Sequence, residues 1–219
     1  MNKQVIIGFA SEGKTDVRFL ENIIQRSFED VAFECLGQVE ILPVQRIEKQ
    51  HGNFTDVVKQ YAQTADENGI MVLCVHADAD AETDKETFNR IIPAFELVKR
   101  TNEPVCKNLV AIVPIQMTEA WMLTDCELLK AEIGTDKSDT ELGIYKPPES
   151  YADPKQAIET AISIARQDVV KRRRRELKIA DLYLPMGQKT AIHKIKILPS
   201  YQKFREAVKD AFRLLNYLT

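Results

Sequence analysis

The sequence predicts an α/β fold: a mainly parallel β-sheet flanked by helices, with a helical extension at the C-terminal end. Three observations carry that expectation. Nearly continuous apolar runs with β-branched residues occupy 4–10, 70–76 and 109–115. Each has strand length and lacks the polar alternation of a half-exposed strand, as expected for strands covered on both faces. Between the runs lie segments with apolar residues at helical spacing, and strands alternating with helices predict parallel pairing with helical crossovers.

The elements follow in order. The first strand, 4–10, ends in a Ser-Glu-Gly turn at 11–13. Asp16 is placed to cap a helix over 17–28, whose Phe19, Leu20, Ile23, Ile24 and Phe28 share one side. Residues 39–44 read as a second strand, and Pro43 places its end near a sheet edge because proline has no ladder donor. A helix over 53–66 carries Val57, Val58, Tyr61 and Ala65 on one face and stops at Gly69, before the strongest strand at 70–76. The segment 84–100 repeats the helical pattern with Phe88, Ile91, Ile92, Phe95 and Val98. After the strand at 109–115, another amphipathic helix covers 117–129. Gly134, Gly143, Pro147, Pro148 and Pro154 make 133–154 a loop or linker. Beyond it, helices are expected over 155–178 and 200–218. The chain therefore divides into an α/β domain at 1–130 and a mainly helical extension at 131–219 packed on it.

Charge follows the same division. Residues 1–130 hold 13 Lys and Arg against 21 Asp and Glu, a balance of −8. Residues 131–219 hold 17 against 12, a balance of +5, so the two parts suit different tasks. No apolar run approaches the roughly 20 residues of a spanning helix, and the N-terminus turns polar too soon for a secretory signal. Cys35, Cys74, Cys106 and Cys126 are scattered, with no CxxC pair, which excludes a disulfide scaffold or a zinc finger. A cytoplasmic, non-membrane protein is expected.

Two chemistries compete for the first turn. Gly8, Gly13, Lys14 and Thr15 complete the pattern G-x-x-x-x-G-K-[ST] between a strand and a helix, which is the setting of a phosphate loop in an NTPase or kinase. Against it, Glu12 would put a carboxylate inside the cradle of N–H groups that should hold an anion, and Phe9 is bulky where the backbone must wrap. The other reading makes Glu12 the functional group. Asp78 and Asp80 follow the strongest strand, and their i, i+2 spacing puts both carboxylates on one side of an extended segment. Three acids converging at neighbouring strand ends would repel one another, and a hard divalent cation relieves that repulsion. The segment is no EF-hand: the sixth position from Asp78 is Thr83 and the twelfth is Asn89. His76 reads as a packed, hydrogen-bonded residue, and Trp121 as a core residue.

With those residues assembled, the chain resembles the Toprim superfamily, whose pattern is a Glu after the first strand and an Asp-x-Asp after a later one. More narrowly it resembles bacterial Toprim-like proteins of undefined function, often encoded beside ABC-type or AAA ATPases in defence loci. The shared motifs are Glu12-Gly13-Lys14-Thr15-Asp16, the acidic Asp78-Ala79-Asp80, and Met117-Thr118-Glu119-Ala120-Trp121-Met122-Leu123-Thr124-Asp125. The resemblance implies that Glu12, Asp78 and Asp80 hold Mg²⁺ or Mn²⁺. Glu12 would alternatively act in acid–base transfer, and Glu119 would supply a second metal position. It further implies phosphodiester hydrolysis of DNA or RNA, in anti-phage defence with an ATPase partner. The sequence departs from the nuclease and topoisomerase pattern at Ala81-Glu82, where a glycine often stands, so a non-catalytic binding or regulatory subunit is the alternative within the resemblance.

Basic residues supply the expected nucleic-acid contacts. Lys14 is placed to meet a phosphate, and Lys171, Arg172, Arg173, Arg174 and Arg175 form the densest charge in the chain. Such contacts bind phosphates without regard to sequence and weaken with salt. No aromatic residues interleave with the run to stack on bases.

Overall fold

The computed structural model describes residues 3–11, 13, 15, 17–167 and 177–219. Within them the fold is α/β and Rossmann-like, with every strand pair parallel and helices on both sheet faces. β1 (Lys3–Val5) and β2 (Ile7–Ser11) run almost as one strand, broken at Ile6, whose carbonyl accepts from the N–H groups of Met71 and Val72 at 2.9 and 3.2 Å. β1 pairs with β3 (Val39–Ile41). β2 pairs with β4 (Gln45–Arg46) on one side and β5 (Val72–His76) on the other, and β6 (Leu109–Ile112) extends the sheet beyond β5. Pro43 falls in the break between β3 and β4, where the next N–H, that of Val44, donates to the Gln25 side chain at 3.2 Å.

The strand order β4-β2-β5-β6 has a consequence for the site. From central β2 the chain passes through α1 (Val17–Ala32) to one edge. It then returns through α2 (Phe54–Glu67) to β5 on the opposite side of β2, and continues through α3 (Lys85–Arg100) to β6. The direction of winding thus reverses between β2 and β5, and parallel α/β sheets bind ligands in the crevice beyond the strand ends at such a point. Those ends are Ser11 and His76, which stand opposite each other in register.

Alternation along the strands builds two cores. Ile7, Phe9, Val72, Cys74, Val110 and Ile112 face the side covered by α1. Ala10, Leu73 and Val75 face α2 and α3. A methyl group on Gly8 would come within 2.8 Å of Ile70 Cδ1, so close packing accounts for this glycine in mid-strand.

The α1 side is the deeper layer, because the C-terminal helices join it. After α4 (Thr118–Met122), α5 (Cys126–Ile133), α6 (Asp139–Leu142), α7 (Pro154–Ala165), α8 (Tyr183–Lys189) and α9 (Ile192–Ile195), α10 (Pro199–Leu214) lies against β6 and α1. Trp121, Tyr201 and Phe204 form an aromatic group with ring centroids 5.4–6.1 Å apart, and the Trp121 indole N–H donates to Ser200 Oγ at 2.7 Å. Burial of each such ring contributes on the order of 1.5–3 kcal/mol. One apolar core therefore runs from β2 through Trp121 to Phe212.

Three segments differ from the sequence expectation. The helix expected over 117–129 is two helices. Thr124 Oγ1 donates back to the Trp121 carbonyl, and Asp125 caps α5 by accepting from Leu128 N at 3.1 Å, so two polar side chains end one helix and begin the next. The stretch 133–154 contains α6, which has a Ser138/Glu141 capping box. The helix expected over 155–178 ends at Ala165. No helix among the described residues is long and apolar enough to cross a membrane.

Candidate functional site

At the switch point the two strand ends are joined through side chains. His76, the last residue of β5, is 1% exposed and is contacted at both ring nitrogens. Its Nδ1 lies 3.2 Å from Ser11 Oγ, and its Nε2 lies 3.2 Å from both Asp78 Oδ1 and Thr118 Oγ1. A carboxylate oxygen only accepts, so in the neutral ring the Nε2 proton points at Asp78 and Thr118 while Nδ1 accepts the Ser11 hydroxyl proton. Ser11 Oγ also accepts from Gly13 N at 3.3 Å, which shapes the turn after β2.

Asp78 is held from a second direction. Its Oδ1 accepts the backbone N–H of Thr118 at 2.9 Å and the Thr118 hydroxyl at 3.3 Å. Its carbonyl accepts from Thr87 Oγ1 at 3.4 Å. Among the described residues, every hydrogen bond to the carboxylate falls on Oδ1. The side chain is 24% exposed, so the carboxylate is reached by solvent.

Beyond β5 the chain keeps pairing with the segment after β6. Ala77 N donates to Ile112 O, Ala79 N to Pro114 O and Asp80 N to Gln116 O, at 3.1, 3.0 and 2.8 Å, and Gln116 N returns to Ala81 O at 3.0 Å. Asp80 and Gln116, facing each other here, both take left-handed conformations, with φ of +50° and +60°. Such positions cost on the order of 1–3 kcal/mol and persist where surrounding bonds enforce them. The extended segment that would align Asp78 with Asp80 therefore ends at Ala79. Asp80, a residue type that tolerates the left-handed region, keeps its backbone bond to Gln116 but breaks the extended run, and its side chain is exposed.

The motif 117–125 is resolved into separate tasks. Thr118 fixes Asp78, Trp121 fills the core, and Asp125 caps α5 while also pairing with Lys194 at 2.6 Å. Burial pushes the Asp125 carboxyl upward, but Lys194 and the N–H groups of Leu128 and Ala191 outweigh it and hold the group below the usual carboxylate range. Glu119 is buried, at 4% exposure, and its Oε1 accepts the phenol proton of Tyr183.

Of the residues expected from sequence, the structure sets Asp78 and Asp80 on one segment at the switch point, and places Glu119 one residue beyond the Thr118 that grips Asp78. Glu12, Lys14 and the run Lys171, Arg172, Arg173, Arg174 and Arg175 lie outside the described residues. Among the described residues no group of three or more His, Cys, Asp or Glu is arranged to hold a metal. The donors present still match Mg²⁺ or Mn²⁺ in kind. They are hard carboxylate oxygens open to solvent, and Mg²⁺ is commonly held by one or two carboxylates plus waters and substrate phosphates. The phosphate-loop pattern fares differently: Gly8, Phe9, Ala10 and Ser11 are strand residues, and α1 begins at Val17, after the Lys-Thr pair. Nothing in the sequence singles out Ser11 or Thr118. A lone hydroxyl carries no periodic signal, although Thr118 lies in a shared motif and Ser11 directly precedes Glu12.

A family model for a domain of unknown function, DUF4276, matches residues 11–208, and the chain belongs to that family. No curated protein and no solved structure matches it.

Proposed function

We propose that this DUF4276 chain is a Toprim-like, Mg²⁺- or Mn²⁺-dependent nuclease that hydrolyses nucleic-acid phosphodiesters. The observation that carries the reading is Asp78. At the switch point its Oδ1 is gripped by Thr118 and His76, and among the described residues no hydrogen bond falls on its Oδ2. A carboxylate anchored through one oxygen has the other in a set direction, as a metal ligand requires. Asp80, exposed two residues later, and Glu12, next to Ser11 in the chain, are the further donors. A divalent cation, when bound, polarises a phosphate and lowers the pKa of a water. Ser11, His76 and Thr118 keep the strand ends and the Asp78 carboxylate in a fixed relation. The same reading places the protein in the cytoplasm, from its composition, and in anti-phage defence beside an ATPase partner, from the resemblance.

Labelled single- and double-stranded DNA and RNA, incubated with the full chain and Mg²⁺ or Mn²⁺, test the reading. Cleavage that stops in EDTA and drops at least about 100-fold in Asp78→Ala is expected. Cleavage at the wild-type rate in Asp78→Ala, or none with any strand and either metal, would overturn it.

A further inference from the structure

A cavity of about 710 Å³ opens between α7 and the short 3₁₀ turn Ile179–Asp181. Two features connect it with the acidic crevice. Thr15, from the turn between β2 and α1, lines its rim. Tyr183 forms part of its wall and donates its phenol proton to Glu119, next to the Thr118 that holds Asp78.

The lining has two characters. Ile162, Leu177, Ile179 and Ala180 give an apolar surface, and among the described residues Lys155, Arg166, Lys178 and Glu159 bring charge to it. The volume lies within the roughly 300–1,000 Å³ of small-molecule sites, and an apolar surface with a few converging charges is their usual composition. A ligand with a flat apolar body and an attached anion satisfies both parts of the lining, which is the chemistry of a nucleotide.

We infer that this cavity is a nucleotide-binding subsite, receiving one nucleotide unit of the strand whose neighbouring phosphodiester lies at Asp78. This rests on the nuclease reading for the identity of the strand. The base lies on the apolar wall of Ile162, Ile179 and Ala180, and the phosphate meets Lys155. The subsite positions the strand and takes no part in bond breaking.

The test is binding in EDTA, which keeps it apart from cleavage. Adenosine monophosphate and a fluorescein-labelled ten-nucleotide single strand are titrated against the full chain. Both are expected to bind, and a tighter strand identifies nucleic acid as the source of the nucleotide, whereas equal affinities identify a free mononucleotide and overturn the strand assignment. Lys155→Glu and Ala180→Glu, at exposed positions in the lining, are expected to weaken binding by about tenfold each. Lys99→Glu, the same charge reversal on the far side of α3, is expected to leave it unchanged. Equal weakening by Lys99→Glu, wild-type affinity in folded Lys155→Glu and Ala180→Glu, or no binding of either probe overturns the subsite. Failure of the nuclease reading looks different: the probes bind and the lining variants weaken them, yet no strand is cleaved with any metal. Cleavage with unchanged KM in both lining variants sinks the subsite alone.

Discussion

The crevice at the strand ends and the cavity beside α7 differ in how they are built. In the crevice, His76 is almost fully buried, both of its nitrogens are engaged, and Asp78 is gripped by a backbone and a side-chain donor. In the cavity, Lys155 and Ala180 are exposed, and the walls come from α7 and a three-residue turn rather than from the sheet. The difference is one of tolerance. Chemistry needs a carboxylate held to within a fraction of an ångström, which the rigid strand ends supply. Strand binding needs charge and apolar area, which a less constrained surface can offer. Crevice variants should therefore act on turnover and metal affinity, and cavity variants on substrate affinity.

The largest effect that sharpens this contrast is Asp80→Ala, which should lower kcat for strand cleavage at least about 100-fold while leaving the EDTA binding of the ten-nucleotide strand unchanged. A weakening of strand binding instead, with kcat intact, would move Asp80 out of the catalytic group. Next comes Thr118→Val, which removes the hydroxyl shared by Asp78 and His76 but keeps the backbone N–H. Removing an outer partner of a ligand should weaken Mn²⁺ binding about 10- to 100-fold, with Thr118→Ser restoring it. Equal loss in both variants would assign Thr118 to packing alone.

Gly187→Ala probes the other side of the comparison. A methyl group there would come within 2.7 Å of the Phe19 carbonyl, where α8 touches α1. Arg26 clasps the same join through the Gly187 and Thr190 carbonyls at 3.2 and 2.7 Å. The substitution should cost about 1–3 kcal/mol in denaturant unfolding. Because α8 carries Tyr183, strand binding should suffer before Mn²⁺ binding does. The smallest effect is expected for Asp125→Ala, about 1 kcal/mol from the lost cap of α5. Its sign with pH is fixed: a carboxyl held below its unfolded value stabilises the fold above that value, and the contribution disappears as pH falls through the folded pKa. Asp30 behaves alike, its burial outweighed by Lys196 and Arg205. Urea midpoints should therefore fall on acidification through the carboxylate range, and less steeply in Asp125→Ala.

Much of the sheet was legible because its strands are covered on both faces. Runs such as Val72 to His76 have no polar break, and the helices between them keep apolar spacing. The split of 117–129 is hidden in the sequence, because Thr124 and Asp125 fit a helix interior in composition and act as a stop only through their hydrogen bonds. At the candidate site, Asp78 and Asp80 stand out in the sequence by their place after a buried strand. Ser11 and Thr118 do not, since they meet His76 and Asp78 only once β2, β5 and α4 converge, across separations of 65 and 40 residues. Tyr183 meets Glu119 across 64 residues, in a stretch whose two short helices lack a long periodic signal.

The most direct test of the account is Mn²⁺ binding to the full chain, followed by electron paramagnetic resonance of the free ion. The account predicts that wild-type protein depletes the free signal and that the double variant Asp78→Asn, Asp80→Asn, folded by circular dichroism, does not. Undiminished binding in the double variant would contradict it.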